Sequence, residues 1–192
     1  MKEPLLILAS ASPRRQELLQ QLQRKFKVIP SSATEIHDDQ LSPGEISQIN
    51  ACRKALAVSV KHPDALVIGM DTVVALEEQV FGKPRDIEEA LQMILRLQGR
   101  LHRVVTGVCL SHLRSRRVKV FAELTDVRFR SLSEAQVRFY HSKMNPLDKA
   151  GAYGIQDHGE LIVESISGSF TNVVGLPVER LQAELEKWEL QT

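Results

Sequence analysis

Hydrophobic and polar positions along the chain follow two rhythms, and the switches between them mark the elements. Residues 4–10, PLLILAS, form a short continuous apolar run ending in small residues, as expected for a buried strand. Ser12 then predicts an N-cap with Pro13 at the first helical position, and Leu18, Leu19 and Leu22 supply that helix with an apolar face. FKVIPSS (26–32) alternates and predicts a second strand, and ATEIHDDQLSPGE a polar loop. Residues 42–61 carry a second helix whose apolar face is expected to hold Ile46, Ile49, Cys52, Leu56 and Val60. Residues 65–84 predict a strand, a sharp turn at Gly69, more strand, and a hairpin through Glu77–Gln79.

The clearest helix is 86–100, with Asp86 as N-cap, Glu89 three positions on, and Gly99 to end it. LHRVVTGVCLSHL and RVKVFAELTDVRFR predict long strands paired across RSRR. Ser133 with Gln136 predicts a capping box for a helix within 131–144, and LDKAGAYGIQDHG a loop with three glycines. ELIVESISGSFTNVVGLP predicts two short strands around Ser167–Gly168. A last helix starting at Pro177 lines up Val178, Leu181, Leu185 and Trp188. Helices alternate with strands first and a strand-rich centre follows, which predicts an α/β fold with a mixed, twisted sheet. No internal repeat, low-complexity tract or linker interrupts it, so the 192 residues are expected to form one domain over 1–192.

Charge adds little: 25 Lys and Arg face 24 Asp and Glu, leaving no global pull toward nucleic acid or an anionic membrane. The apolar run near the N-terminus is too short for a signal peptide, with proline and charge following at once, and no window reaches the roughly 18 apolar residues of a membrane span. Cys52 and Cys109 stand far apart in no metal-ligand spacing, which excludes zinc-ribbon and CxxC readings and fits a reducing cytosol. The six histidines show no i,i+4 pair, and no Ser/His/Asp or Cys/His signature occurs.

The local chemistry is more informative. SASPRR places Ser10, Ser12, Arg14 and Arg15 where a strand gives way to a helix N-terminus, whose free N–H groups and positive dipole end receive anions. Cations in a first turn oppose that dipole by about 0.3–1 kcal/mol each. Either the arginines are a solvated face behind a simple cap, or an anionic ligand removes the conflict. It is not a P-loop, since the glycines and the Gly-Lys-Ser/Thr ending are missing. Asp71 and Thr72 interrupt an apolar run, so the carboxylate there is either hydrogen-bonded in the core or set to a metal or catalytic task. Lys83 sits between Gly82 and Pro84, Lys54 on the second helix, and Glu35 in an acidic loop; each has a solvent-facing alternative. Gln156 follows a loop of small residues, as a turn glutamine or as an amide reading a base edge. Taken together, Arg14, Arg15, Lys54 and Lys83 with Glu35 and Asp71 suit Mg²⁺-dependent attack on a phosphate chain.

At this point the strings LASASPRR, KA at 54–55, GMDTVV, GKPRD, LDKAGAYGIQ and VVGLP, in that order along nearly the whole chain, resemble the Maf family of house-cleaning nucleotide pyrophosphatases. The resemblance implies a Maf/inosine-triphosphatase-like fold with two lobes around a central cleft. It implies hydrolysis of a nucleoside triphosphate to the monophosphate and pyrophosphate with Mg²⁺ or Mn²⁺, a cytoplasmic location and, often, a homodimer. On it, Asp71 is the proton acceptor that activates water. Arg14, Thr72 and Gln156 fall at positions that set base specificity. Ser10, Arg15, Lys54 and Lys83 line the triphosphate cleft, and Glu35 assists metal or water. SPRR, DT and AGAYGIQ resemble the branch acting on dTTP and UTP, not the 7-methyl-GTP branch, which carries tryptophan after SP and DQ for DT. Met70 replaces the usual alanine and is expected to crowd the base. A non-catalytic regulator of cell division, suggested by the family's association with septum formation, is the reading from another class.

Overall fold

A computed structural model gives the architecture, with residues 4–190 described. Seven strands form one mixed sheet: β1 (Leu6–Leu8), β2 (Phe26–Val28), β3 (Leu66–Leu76), β4 (Gln79–Phe81), β5 (Leu101–His112), β6 (Arg117–Phe129) and β7 (Val163–Ser167). Their order is β2-β1-β3-β5-β6-β7, with β4 also on β3. β1 runs parallel to β2 and β3, while the β3–β4, β3–β5, β5–β6 and β6–β7 pairs are antiparallel. Among the described residues six α-helices and two 3-10 turns pack on it: α1 (Pro13–Gln20), α2 (Pro43–Ser59), α3 (Ile87–Leu97), α4 (Glu134–His141), α5 (Phe170–Val174) and α6 (Val178–Leu190), with the turns at Ala150–Ala152 and Gly159–Leu161.

The long strands β3, β5 and β6 run through two lobes. At one end α1 and α6 close a core of Leu8, Leu19, Ile68, Met70, Leu110, Leu181 and Trp188. At the other, α3, α4 and the 150–162 segment close a second core around Phe81, Leu91, Phe129, Tyr140 and Tyr153. The gap between lobes opens at one edge of β3. There β1 pairs with Leu66–Ile68 and β4 with Val74–Leu76, so neither of these strands covers the residues between. Asp71 and Thr72 lie in that gap. Because side chains alternate along a strand, the two point to opposite faces of the sheet.

Most predicted elements form where the pattern places them. Asp86 accepts the Glu89 N–H as an N-cap, and the capping box of Ser133 with Gln136 is present. Val178, Leu181, Leu185 and Trp188 are all buried. Other expectations are corrected. Ser12 holds the N-cap position of α1 without a side-chain cap bond. β2 ends at Val28, and the segment after Gly168 is the short helix α5, with Ser169 as its cap, instead of a strand. No turn occurs at Gly69, since β3 is continuous through it.

The larger correction concerns α2. Only part of its expected apolar face turns inward: Ile46 is buried and Cys52 packs half-buried against the core, but Ile49, Leu56 and the C-cap residue Val60 are exposed, and Ser47, Asn50, Ala51, Ala55 and Ser59 are buried instead. The reason is close approach. A Cβ built on Gly69 would lie 2.2 Å from the Ala51 carbonyl oxygen, and one on Gly107 would lie 2.3 Å from that of Ser47. The helix backbone therefore rests directly on β3 and β5, and only small side chains fit between. Gly107→Ala is expected to lower folding stability by about 3 kcal/mol, because backbone must move to admit the methyl group. Gly44→Ala, whose new Cβ meets nothing nearer than 4.0 Å, should stay within about 0.5 kcal/mol. Urea-denaturation midpoints of the two variants check this.

Candidate active-site cleft

The two lobes enclose a cleft of about 590 Å³, continued by a compartment of about 380 Å³ at the N-terminus of α1. Arg14, Arg15, Glu35, Lys54, Lys83 and Asp148 border both spaces, which makes them one site. Every residue singled out in the sequence lines it: Ser10 borders the smaller space, Asp71, Thr72 and Gln156 the larger.

At the floor, Lys54 Nζ donates to Glu35 Oε1 and Asp71 Oδ1, each at 2.6 Å. Asp71 is 5% exposed, so its charge needs this partner. Its other oxygen, Oδ2, accepts from Asn50 Nδ2 at 3.3 Å. Asn50 also clamps the acidic loop, accepting from the Ile36 N–H at 2.8 Å and donating to the Ile36 carbonyl at 3.1 Å. Burial resists ionisation of Glu35, but Lys54, Lys83 and His37 outweigh it and hold the carboxyl below its usual range. Lys83 stands exposed at the rim and pairs with no carboxylate among the described residues.

The two arginines of α1 have separate roles. Arg15 is committed to the protein: it donates to the Gly175 and Met70 carbonyls at 2.9 and 3.1 Å, Thr72 Oγ1 at 2.9 Å and Ser10 Oγ at 3.3 Å. Four of its five N–H groups are thus occupied. Desolvation by burial lowers its pKa against the nearby Asp71 and Glu35 charges. Arg14 reaches across the cleft mouth to Asp148 at 3.0 Å. The dipole conflict seen in the sequence is therefore met largely by acceptors of the protein itself. Ser10 Oγ accepts from both Arg15 and the Ser12 N–H, leaving its own proton free for an anion. Met70 does not crowd the cleft, because its side chain is fully buried in the core and only its carbonyl turns to Arg15.

On the opposite face of β3, Thr72 Oγ1 lies 3.0 Å from Thr106 Oγ1, which in turn lies 3.2 Å from the Asn172 carbonyl. Across the cleft, the loop bearing Gln156 is pinned by Tyr140, whose hydroxyl donates to the Gly154 carbonyl at 3.1 Å and accepts its N–H at 3.0 Å. Lys149 is buried there, bonded to Asp148, Asp157 and the Asn145 carbonyl. Sequence reasoning missed Asn50, Tyr140, Lys149 and Asp148. Asn50 carried one signal: it stands four residues before Lys54, on the same face as the small residues.

Of the carboxylates lining the cleft, Glu35 and Asp71 are brought together by the Lys54 ammonium that both bind and are the pair that could hold a metal on their remaining lone pairs; no cluster of three His, Cys, Asp or Glu occurs among the described residues. That donor set fits Mg²⁺, which one or two carboxylates and substrate phosphates commonly hold together.

Fold and cleft together define an α/β protein with a cation-lined, anion-receiving site and a carboxylate pair on its floor. The chain belongs to the Maf-like protein family, whose model matches residues 5–188. It is 46% identical over 183 residues to a dTTP/UTP pyrophosphatase of Carboxydothermus hydrogenoformans, covering 95% of this chain and 98% of the relative. A dTTP/UTP pyrophosphatase of Symbiobacterium thermophilum is 49% identical over 177 residues, covering 91% and 89%. The fold is also similar to that of a HAM1 protein from Coxiella burnetii, with TM-score 0.53, 14% identity, and 96% and 99% coverage. At that identity the likeness concerns the fold alone.

Beneath the cleft wall, His102 is buried against Phe129 and Tyr153 and bonded to the Tyr153 hydroxyl at 2.9 Å. Burial lowers its pKa from 6.5 to about 4. Below pH 6.5 the unfolded chain takes up a proton that the folded chain refuses, so stability falls as pH drops toward 4. The expected loss from this residue is about 3 kcal/mol between pH 7 and 4. Comparing denaturation of the unaltered chain with His102→Gln over that range should show a flatter profile in the variant.

Proposed function

We propose that this chain is a nucleoside triphosphate pyrophosphatase that hydrolyses dTTP and UTP to the monophosphate and pyrophosphate. One observation carries the reading: a buried carboxylate, Asp71, sits at the open edge of β3 between an ammonium and an amide, on the floor of a cleft ringed by cations. The names of the relatives point to the same activity.

The triphosphate enters with its phosphates toward the N-terminus of α1. There Ser10 offers its hydroxyl proton, and Lys83 and the third N–H of Lys54 offer charge. Asp71 takes a proton from the water that attacks the α-phosphorus, its orientation fixed by Lys54 and Asn50. Lys54 and Lys83 stabilise negative charge on the departing pyrophosphate. Arg15 acts mainly as a brace, holding Thr72 and Ser10, with one N–H left for a phosphate oxygen. Arg14, Thr72 and Gln156 surround the base. A divalent cation held by Glu35 and Asp71 would neutralise phosphate charge and make water more acidic.

A cytoplasmic location belongs to the same proposal, supported by two free thiols of the kind a reducing compartment maintains. A homodimer does too, supported by the exposed Ile49 and Leu56 on α2 and Val60 at its C-cap; light scattering tests it.

The test is pyrophosphate release from a panel of nucleoside triphosphates with Mg²⁺ or Mn²⁺. Turnover should be strongest with dTTP and UTP, and Asp71→Asn should lower kcat by roughly 10²–10³-fold in protein that circular dichroism shows to be folded. Near-full activity in Asp71→Asn would remove Asp71 as the base, and no turnover of any triphosphate would remove the enzymatic reading.

A further inference from the structure

We infer that Thr106, a residue that faces the core and not the cleft, fixes the Thr72 hydroxyl as a hydrogen-bond acceptor and so makes the site select a base bearing an N–H at N3. This rests on the pyrimidine triphosphate reading above and names what the site recognises.

The argument is a count of protons along one chain of hydrogen bonds. A threonine hydroxyl has one proton and two lone pairs, an arginine only donates, and a carbonyl only accepts. Arg15 Nη2 therefore donates to Thr72 Oγ1 at 2.9 Å. At the far end, Thr106 Oγ1 lies 3.2 Å from the Asn172 carbonyl oxygen. Thr106 is fully buried, so no water competes for its proton. If that proton pointed elsewhere, two oxygens would face each other lone pair to lone pair inside the protein. The Thr106 proton accordingly belongs to Asn172. The 3.0 Å contact between the two threonines then has one consistent direction, in which Thr72 donates to Thr106. Thr72 Oγ1 is left with its proton committed inward, one lone pair filled by Arg15, and one lone pair free at the cleft.

A free lone pair takes a donor. Uracil and thymine carry a hydrogen on N3, whereas the N3 of cytosine is itself an acceptor. Cytosine placed there would set one lone pair against another, with both groups partly desolvated. The side chain of Gln156, which has both donor and acceptor, does not make this distinction alone. Polarity at Thr72 does, and it is set from the neighbouring strand, where Thr106 is its direct partner on the same face. Thr106 is thus a positioning residue for specificity and has no part in hydrolysis.

Thr106→Val keeps the shape of the side chain and removes its hydroxyl. Asn172 retains a partner, since its carbonyl also accepts the Gly175 N–H at 2.9 Å. The Thr72 proton is then free to turn toward the cleft. We expect the ratio of kcat/KM for UTP over CTP to fall on the order of tenfold in Thr106→Val, the worth of one neutral hydrogen bond, and to persist in Thr106→Ser. A merely structural role would lower both substrates together and leave the ratio unmoved. With the unaltered chain, N3-methyl-UTP, which lacks the donor, should be turned over at least tenfold less efficiently than UTP. UTP turnover with an unchanged ratio in a folded Thr106→Val, or N3-methyl-UTP used as well as UTP, overturns the assignment and leaves the pyrophosphatase reading standing. Failure of the unaltered chain to hydrolyse UTP overturns both.

Discussion

The structure depends on the direct contact between the backbone of α2 and the sheet at Gly69 and Gly107. Side chains normally hold a helix well off a sheet surface. Here two strand positions without a Cβ let the helix sit against β3 and β5 at its Ala51 and Ser47 carbonyls. That closeness sets the reach of everything α2 carries. Asn50 and Lys54, one turn apart, arrive at the two oxygens of Asp71 with short side-chain spans. A helix standing farther out would leave a buried carboxylate without partners, and an uncompensated buried charge is far costlier than the packing that avoids it.

A second constraint is topological. β1 leaves β3 after Ile68 and β4 joins it only at Val74. Ligands commonly bind where neighbouring strands part, because backbone and side chains there are not fully covered. The N-terminus of α1 follows β1 directly and faces the same opening, which joins the anion-receiving helix end to the carboxylate in one space.

Much of this was legible in the sequence. Most of the order of elements, the β5–β6 hairpin, the Asp86 cap, the Ser133–Gln136 capping box and the buried stripe of α6 follow from local pattern, because each rests on contacts near in the chain. Part of the cleft was also legible, Asp71 and Thr72 because polar groups inside an apolar run need a reason and the SASPRR cluster because it stands at a helix N-terminus, whereas Asn50, Asp148 and Lys149 were not. The inner face of α2 was not. Ile49 and Leu56 point out, and small residues line the contact, because the sheet comes too near there to admit larger ones, and that nearness is decided by two glycines on β3 and β5. Gly69 itself was read as a turn for the same reason: a glycine in a strand signals either a bend or a close neighbour, and only the tertiary structure distinguishes them. The partners of Arg14 and Arg15 lay beyond local pattern too, being 134 and up to 160 residues away.

Asp71 and Thr72 are consecutive, and the pleat of β3 sends them to opposite sides of one sheet. The acid side is tuned by α2 and the loop of Glu35, the hydroxyl side by Arg15, Thr106 and Asn172. No residue hydrogen-bonds both Asp71 and Thr72, although the Arg15 charge is felt on the acid side as well. On the function proposed above, bond breaking and base choice therefore rest on separate hydrogen-bond networks joined by a single peptide unit, so a change in one network leaves the bonds of the other in place.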